Sequence, residues 1–317
     1  MIEEVIINNL KSIIKSPAAL NLNDDVFFDK KKLLVASIDT YNEDVHYINF
    51  KFPNRIIKKV IRSSISDIIS KGVDPKFLLI SFSGSNKNFN KKNIKLISNS
   101  IREEQKKYNF SLVGGDTTFS KKSSFTICVF GYSKKIIKRD NYLINDDIYI
   151  TGYIGDSSVG LDILKNKIKL PFKHKAYFVD RYFEPKLAFG FHRELSKFAN
   201  SSMDISDGLL IDLKKLIGRK KKGFIINLDT LPISPKLKLL LKKKKLNLNN
   251  YIFNGDDYQI LFTSKIKNRD KIIQFSKKWN QKITMIGTIA GTRGNYLKFN
   301  DKLNKIVDYH GYIHDFR

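Results

Sequence analysis

Apolar residues recur with a helical period in the first quarter of the chain. Residues 3–15 and 54–71 both place isoleucine, valine or leucine at spacings of three and four, which predicts two amphipathic helices. Gly72 follows the second helix, and glycine favours the backbone conformation that ends a helix. The apolar runs at 32–38 and 77–82 predict buried strands on either side of that helix.

The stretch Val113–Thr118 is the most informative one in this half of the chain. It reads Val-Gly-Gly-Asp-Thr-Thr and joins an apolar run at 110–113 to a strand-like run at 125–132. Paired glycines let a backbone approach a ligand closely, and an aspartate such as Asp116 can hold a hard cation. Taken alone, a Gly-Gly-Asp sequence is typical of a tight turn. A turn and a ligand site therefore both stay open at this point.

The second half alternates strands and helices without a fixed repeat. Its pattern predicts a strand from Asp147 that ends at glycines, helices at 157–164 and 185–199, strands at 224–228 and 260–263, and a helical or loose lysine-rich segment at 236–248. Ser206 is placed as the N-cap of a further helix. The buried stripe of that helix consists of Leu209, Leu210, Leu213 and Leu216.

The order of these elements favours one fold class. Strands and helices alternate irregularly and some strands adjoin directly, which indicates an α+β or mixed α/β fold rather than a doubly wound sheet. Residues 133–147 are polar and lysine-rich and show no clear periodicity. Such a segment is typical of a domain boundary. We therefore predict two domains, residues 1–138 and 139–317.

The composition adds a strong positive charge. The chain has 317 residues, of which 42% are hydrophobic, and a formal net charge of +27. This charge suits a polyanionic partner, but it consists mainly of lysines whose runs alternate with leucines, which is typical of a solvated surface. A nucleic-acid-binding protein, which would bind with a steep salt dependence, is the least favoured alternative. It leaves the aspartates at glycine turns unexplained.

Cysteine content and apolar run lengths limit the cellular context. Cys128 is the only cysteine in the sequence, which excludes a disulfide framework and a cysteine metal site. No apolar run in the sequence approaches the length of a membrane span, and the first residues carry acids where a signal peptide needs bases. We therefore expect a cytoplasmic protein without a membrane partner.

Aspartates stand at strand ends, glycine turns and helix starts in several separate places. These positions are Asp24 and Asp25, Asp39, Asp116, Asp204 and Asp207, and Asp256 and Asp257, with Asp67 inside a predicted helix. Turn preferences explain each one well but explain the set poorly. Carboxylates without a His or Cys cluster select Mg²⁺, and several Mg²⁺ ions imply a polyphosphate ligand. The sequence has no Walker, G-x-G-x-x-G or D-F-G motif, so an ATP site must be of another kind.

Read in order, these segments resemble the thiamine-monophosphate kinase family. The matching segments are Asn23–Asp25, Ser37–Thr40 with His46, Ile65–Asp67 with Gly72, Val113–Thr118, Asp204–Gly208, Gly255–Tyr258 and Gly311–His314. They span nearly the whole chain with the family's spacing. The resemblance implies the PurM-like fold of aminoimidazole ribonucleotide synthetase, with an N-terminal β-sheet domain that forms a barrel on dimerisation and a C-terminal α/β domain. It also implies a homodimer.

The same resemblance implies an activity. Family members transfer the γ-phosphate of ATP to thiamine monophosphate and so form thiamine diphosphate, with several Mg²⁺ ions and direct in-line transfer. The acceptor phosphate is already ionised near neutral pH, so no catalytic general base is expected. Another ATP-dependent synthetase or kinase of the superfamily and a non-catalytic relative remain as alternatives.

The resemblance assigns roles to individual positions. The implied metal ligands are Asp25, Ser37, Ile38, Asp39, Asp67, Asp116, Asp204 and Asp207. The implied ATP contacts are Gly115, Asp116, Arg139 and Ser206. The implied substrate pocket consists of His46, Asp256 and Tyr312.

Three positions depart from the family pattern. Asn23 stands where a glycine is usual. A hydroxyl is common where Ile38 stands, so that metal contact is predicted to fall to a backbone carbonyl or to be lost. Asp256 replaces the usual glutamate, which shortens a substrate contact by one methylene.

Overall fold

The structure, a computed structural model, describes residues 2–218, 222–309 and 311–312. Within these residues it contains two β-sheets with helices packed against them, which confirms the prediction of a mixed α/β fold. No helix in the described part of the chain has both the length and the apolar character needed to cross a bilayer.

The first sheet has five strands in the order β1-β2-β5-β3-β4. These strands are β1 (Phe27–Asp29), β2 (Leu34–Asn42), β3 (Pro75–Gly84), β4 (Ser111–Phe119) and β5 (Ser124–Tyr132), and the helices of this half are α1 (Ile2–Lys11), α2 (Pro53–Ser70) and α3 (Lys91–Tyr108). In β2, Val35, Ser37 and Tyr41 are buried whereas Ile38 is exposed. This alternation places one face of the sheet against the helices and leaves the other face open.

The Gly114–Asp116 segment lies inside β4 rather than in a turn. The strand runs parallel to β3, where Asp116 is paired with Ser81, and continues to Phe119. The register shifts just before Gly114, whose φ of +148° accommodates the resulting bulge. The interpretation as a turn is therefore wrong. The strand expected at 110–113 is present as the start of β4, but its expected burial is wrong beyond Phe110, because β4 is an edge strand with all its residues exposed.

The second sheet has seven strands in the order β12-β11-β8-β10-β6-β9-β7. These strands are β6 (Asp147–Thr151), β7 (Ala199–Asp204), β8 (Gly223–Asn227), β9 (Ile260–Ser264), β10 (Ile283–Ala290), β11 (Tyr296–Phe299) and β12 (Lys302–Lys305). The helices of this half are α4 (Asp156–Leu164), α5 (Phe172–Phe183), α6 (Leu209–Ile217), α7 (Pro235–Lys244), α8 (Asn249–Ile252) and α9 (Arg269–Lys278). Short 3-10 helices lie at Pro17–Leu22, Phe191–Lys197, Leu228–Thr230 and Ile266–Asn268.

Two helix predictions in this half need correction. The helix expected at 185–199 is only a 3-10 helix at Phe191–Lys197, since Gly190 adopts a φ of +88° that interrupts a helix. Helix α6 begins after Gly208, and the carboxylate of Asp212 accepts hydrogen bonds from the backbone N–H groups of Asp207 and Gly208, each at 3.0 Å. The N-cap position is therefore Gly208 rather than Ser206, and Asp212 fixes the turn that leads into the helix.

Helix α2 is the element that joins the two halves. It packs on β2 and β5 of the first sheet and also contacts α5 and β7 of the second half. One buried hydrophobic cluster contains Val35, Ile65, Phe178 and Phe262 and so extends through both halves. Residues 133–146 connect the sheets, and the division at 138/139 stays a prediction.

Candidate functional site

A cavity of about 590 Å³ is lined by residues from both halves of the chain. Its lining includes most of the site residues named from the sequence: Ile38, Asp39, His46, Asp67, Asp204, Ser206, Asp207, Asp256 and Tyr312. They are supplied by β2 and the segment after it, by α2, by the end of β7, by the turns that precede α6 and β9, and by the segment after β12. The fold thus brings distant segments to one cavity, whereas the role of each residue stays a prediction.

Three carboxylates in and beside the cavity lie close enough to share one cation. One carboxylate oxygen each from Asp25, Asp67 and Asp204 lies within 4.8 Å of the others. Asp25 precedes β1, Asp67 is in the last turn of α2, and Asp204 ends β7. The hydroxyl of Ser66 donates a hydrogen bond to Asp204 and fixes its orientation. Hard oxygen ligands of this kind suit Mg²⁺.

Burial and mutual repulsion raise the pKa values of the carboxyls in and around this cluster. Burial and then the charge of Asp204 raise the pKa of Asp39 to about 7. Burial, followed by Asp39 and Asp204, raises the pKa of Asp67 well above its ordinary value. Burial also raises the pKa of Asp204, although the hydrogen bond from Ser66 opposes this shift. Like charges held this close favour binding of a cation.

Two fixed cations border the cluster on one side. Lys71 Nζ lies 2.8 Å from Asp24 Oδ1 and 2.6 Å from Asp25 Oδ2. Arg139 donates from Nε to Asp25 Oδ2 at 3.0 Å, and its Nη2 contacts the other oxygen of Asp25. Arg139, the implied ATP contact, is therefore paired with an implied metal ligand. Reasoning from the sequence missed Lys71, because one lysine in so lysine-rich a chain carries no signal.

Other implied residues lie apart from the close carboxylate group. Ser37 is buried in β2, with its hydroxyl 3.5 Å from the carbonyl oxygen of Ser64. Asp116 is exposed on β4, and β5 and β3 lie between this strand and β2. A Cβ at Gly115 would stand 1.8 Å from the carbonyl oxygen of Ile80, so packing of β4 on β3 already requires this glycine.

The implied substrate side of the cavity is held by short contacts. His46 Nδ1 accepts a hydrogen bond from the backbone N–H of Asn42 at 2.9 Å. Asp256 has a φ of +70°, and its Oδ1 lies 2.8 Å from the buried ammonium of Lys59. The backbone N–H of Tyr312 donates to the carbonyl oxygen of Asp207 at 2.8 Å. These contacts fix the walls of the cavity before any ligand binds. His314 lies outside the described residues.

Comparison with known proteins identifies the family. The family described as AIR synthase related protein, N-terminal domain, matches residues 18–133. The structure of a thiamine monophosphate kinase from Aquifex aeolicus has 25% identity and a TM-score of 0.81 and covers 96% of this chain and 97% of its own.

Two further relatives extend the match. The structure of AaThiL complexed with AMPPCP and TMP has 26% identity and a TM-score of 0.84, with 98% of this chain and 96% of that chain covered. The thiamine-monophosphate kinase of Buchnera aphidicola subsp. Acyrthosiphon pisum is 31% identical over 97% of this chain and 93% of its own length. This chain therefore belongs to the thiamine-monophosphate kinase family.

Proposed function

We propose that this protein transfers the γ-phosphate of ATP to thiamine monophosphate and so forms thiamine diphosphate. The observation that carries this proposal is that Asp39, Asp67 and Asp204 line the same cavity as His46 and Asp256. A carboxylate group suited to metal–polyphosphate binding thus adjoins the implied substrate pocket. The family relationship and the AaThiL structure with AMPPCP and TMP support the same two substrates.

The donor set of the cluster fits Mg²⁺. Its ligand atoms are carboxylate oxygens, and the mutual repulsion of Asp39, Asp67 and Asp204 is the charge pattern that a divalent ion relieves. Asp67 and Asp204 would hold such an ion, with Asp39 beside them. When bound, Mg²⁺ neutralises negative charge on the phosphates during transfer.

The remaining work of the protein is positioning. His46, Asp256 and Tyr312 line the same cavity as the carboxylates and would orient thiamine monophosphate. Ser206, in the turn before α6, also lines this cavity and would contact ATP. Since the acceptor oxygen is already ionised, none of these side chains needs to remove a proton. Holding the two phosphates in line accounts for most of the rate.

The test is a direct assay of thiamine diphosphate formation from ATP, Mg²⁺ and thiamine monophosphate. We expect turnover in the wild type and its loss by at least about 100-fold in Asp67→Asn, since a carboxylate that holds the metal is removed. Asp270→Asn is the matched control, because Asp270 is an exposed aspartate of α9. Circular dichroism verifies folding. Wild-type rates in a folded Asp67→Asn variant would contradict the metal role, and an inactive wild type would contradict the proposed reaction.

We further propose that two copies of the chain associate through the open face and edge of the first sheet. Ile38, Val113 and Phe119 are 68%, 53% and 77% exposed there, which is a large apolar surface for an isolated subunit. A second sheet packed on this surface would cover it and the edge strand β4.

Light scattering after size exclusion tests this association. We expect the wild type to have twice the mass of the 36.7 kDa chain. Val113→Lys and Phe119→Lys should shift it toward the monomer, whereas Phe172→Lys, at a site that is 86% exposed at the start of α5, should not. A monomeric wild type would exclude the dimer.

The proposed use of ATP supports the expectation of a cytoplasmic protein.

A further inference from the structure

Lys71 follows α2 and has a side chain that is completely enclosed. Its side chain is 0% exposed, although lysine is almost never fully buried without a partner. The chain contains many lysines that lie at the surface, and the hydrophobic pattern of α2 does not call for a cation at this position. The location of this ammonium beside the carboxylate cluster therefore needs an explanation of its own.

The ammonium of Lys71 has an acceptor for each of its three N–H groups. It lies 2.8 Å from Asp24 Oδ1, 2.6 Å from Asp25 Oδ2 and 2.8 Å from the carbonyl oxygen of Ser202. Three N–H donors are all that an ammonium has, so its hydrogen bonding is complete. Arg139 occupies the remaining side of Asp25. Both oxygens of Asp25 thus already face a cation of the protein itself.

We propose that Lys71 takes the place of one divalent ion on the Asp24–Asp25 side of the cluster. Metal binding is thereby confined to the side formed by Asp39, Asp67 and Asp204, and Asp25 serves as a partner of Lys71 and Arg139 rather than as a metal ligand. This inference rests on the divalent-ion site of the proposed function. It departs from the ligand set that the family resemblance implies, in which Asp25 binds metal.

Charge balance supports this division of the cluster. Five aspartates (Asp24, Asp25, Asp39, Asp67 and Asp204) and two cations (Lys71 and Arg139) meet here, which leaves three net negative charges when all are ionised. Of these five aspartates, the two cations contact Asp24 and Asp25. A buried charge is tolerated when it is paired and hydrogen-bonded, so this side is already balanced without metal. In the described part of the chain neither cation forms an ion pair with Asp39, Asp67 or Asp204, and Lys71 acts on Asp67 and Asp204 only from a greater distance. These three aspartates are therefore the less compensated ones.

The experiment uses Mn²⁺ as a probe for Mg²⁺, in the absence of nucleotide and thiamine monophosphate. The number of bound ions is obtained from the electron paramagnetic resonance signal of the Mn²⁺ that stays free. The variant Lys71→Met keeps the length of the side chain and removes its charge. Lys59→Met is the matched control, because Lys59 is equally buried and paired with Asp256, away from the Asp24–Asp25 pair. We expect Lys71→Met to bind one Mn²⁺ more per chain than the wild type, and Lys59→Met to bind the wild-type number.

Each outcome decides the matter. If the wild type and Lys71→Met bind the same number of Mn²⁺ ions, the proposed role of Lys71 is overturned and the proposed metal site stands. If neither protein binds Mn²⁺, the metal site itself is overturned. If Lys71→Met is unfolded in EDTA, recovery of its circular dichroism in Mg²⁺ supports the proposal, since a divalent ion then replaces the lost charge. Failure to fold even with Mg²⁺ present would contradict it.

Discussion

The buried pair Lys59–Asp256 gives a quantitative prediction about how the two halves are held together. Lys59 Nζ lies 2.8 Å from Asp256 Oδ1, and the two side chains are 1% and 28% exposed. The same ammonium donates to the carbonyl oxygen of Tyr182 at 3.3 Å and stands 4.0 Å from the centre of the Tyr182 ring. Lys59 belongs to α2 and its partners belong to the second half.

Replacing Asp256 by asparagine removes the only carboxylate in contact with this ammonium among the described residues. The carbonyl oxygen and ring of Tyr182 remain, but neither supplies a full negative charge. Breaking a buried pair from one side costs about 3–5 kcal/mol, because the desolvated partner stays behind. Burial already lowers the pKa of Lys59, and Asp256 opposes that shift, so the variant is also expected to favour the neutral amine.

Urea unfolding of a double-mutant cycle measures this effect. Asp256→Asn is expected to lower the free energy of unfolding by about 3–5 kcal/mol, whereas the double variant Lys59→Met with Asp256→Asn regains most of the loss because no buried charge is left unpaired. Asp270→Asn, an exposed aspartate, controls for loss of an acidic charge. The reasoning would be refuted if the effects of the two single substitutions on the free energy of unfolding added up in the double variant. A loss of under about 0.5 kcal/mol in Asp256→Asn would refute it as well.

Three further predictions concern single sites. Folding raises the pKa of Asp39 from 3.8 to about 7. Without metal, the folded protein therefore holds a proton on Asp39 that the unfolded chain has already released. The Tm of the protein in EDTA should thus fall as the pH rises from about 5 to 8. A similar slope in Asp39→Asn would contradict this origin. Arg62 makes two hydrogen bonds to Glu104, at 2.8 and 2.7 Å, and also pairs with Glu184 at 3.1 Å. Because Glu184 remains, Glu104→Gln should cost about 1.5–3 kcal/mol in urea unfolding, and an unchanged midpoint would argue against a buried pair. Gly115→Ala should lower the Tm, because its Cβ would meet the carbonyl oxygen of Ile80, and a wild-type Tm would show that β4 can shift.

The sequence predicted elements well where one physical rule decides the structure. The helix expected at 54–71 is α2 (Pro53–Ser70), since its apolar residues keep a helical period over five turns. The burial of the strand at 110–113 was misjudged, because β4 is an edge strand whose apolar residues are exposed in the single chain. Ser206 was preferred as a cap by residue type, but the helix begins two residues later, after Gly208, and Asp212 holds the turn before it.

The candidate site shows a similar limit. The order and spacing of the aspartate motifs indicated which segments converge, and Asp39, Asp67 and Asp204 do line one cavity. Motif spacing could not indicate that Asp116 would be exposed on an edge strand apart from them. It also could not identify the cations that neutralise part of the cluster, because partners of a buried charge are set by tertiary packing.

Helix α2 carries two further buried cations that the sequence pattern did not reveal, Lys59 and Arg62. An amphipathic helix normally turns its polar face to water, so Lys59 and Arg62 read as surface residues. In this fold that face is enclosed by α3, α5 and β7, and Lys59 and Arg62 are both buried. Each buried cation must then find an acid, and each does: Lys59 pairs with Asp256 and Arg62 with Glu104. Since Asp256 belongs to the second half and lines the cavity, its pair with Lys59 both joins the two halves and holds Asp256 in the cavity wall.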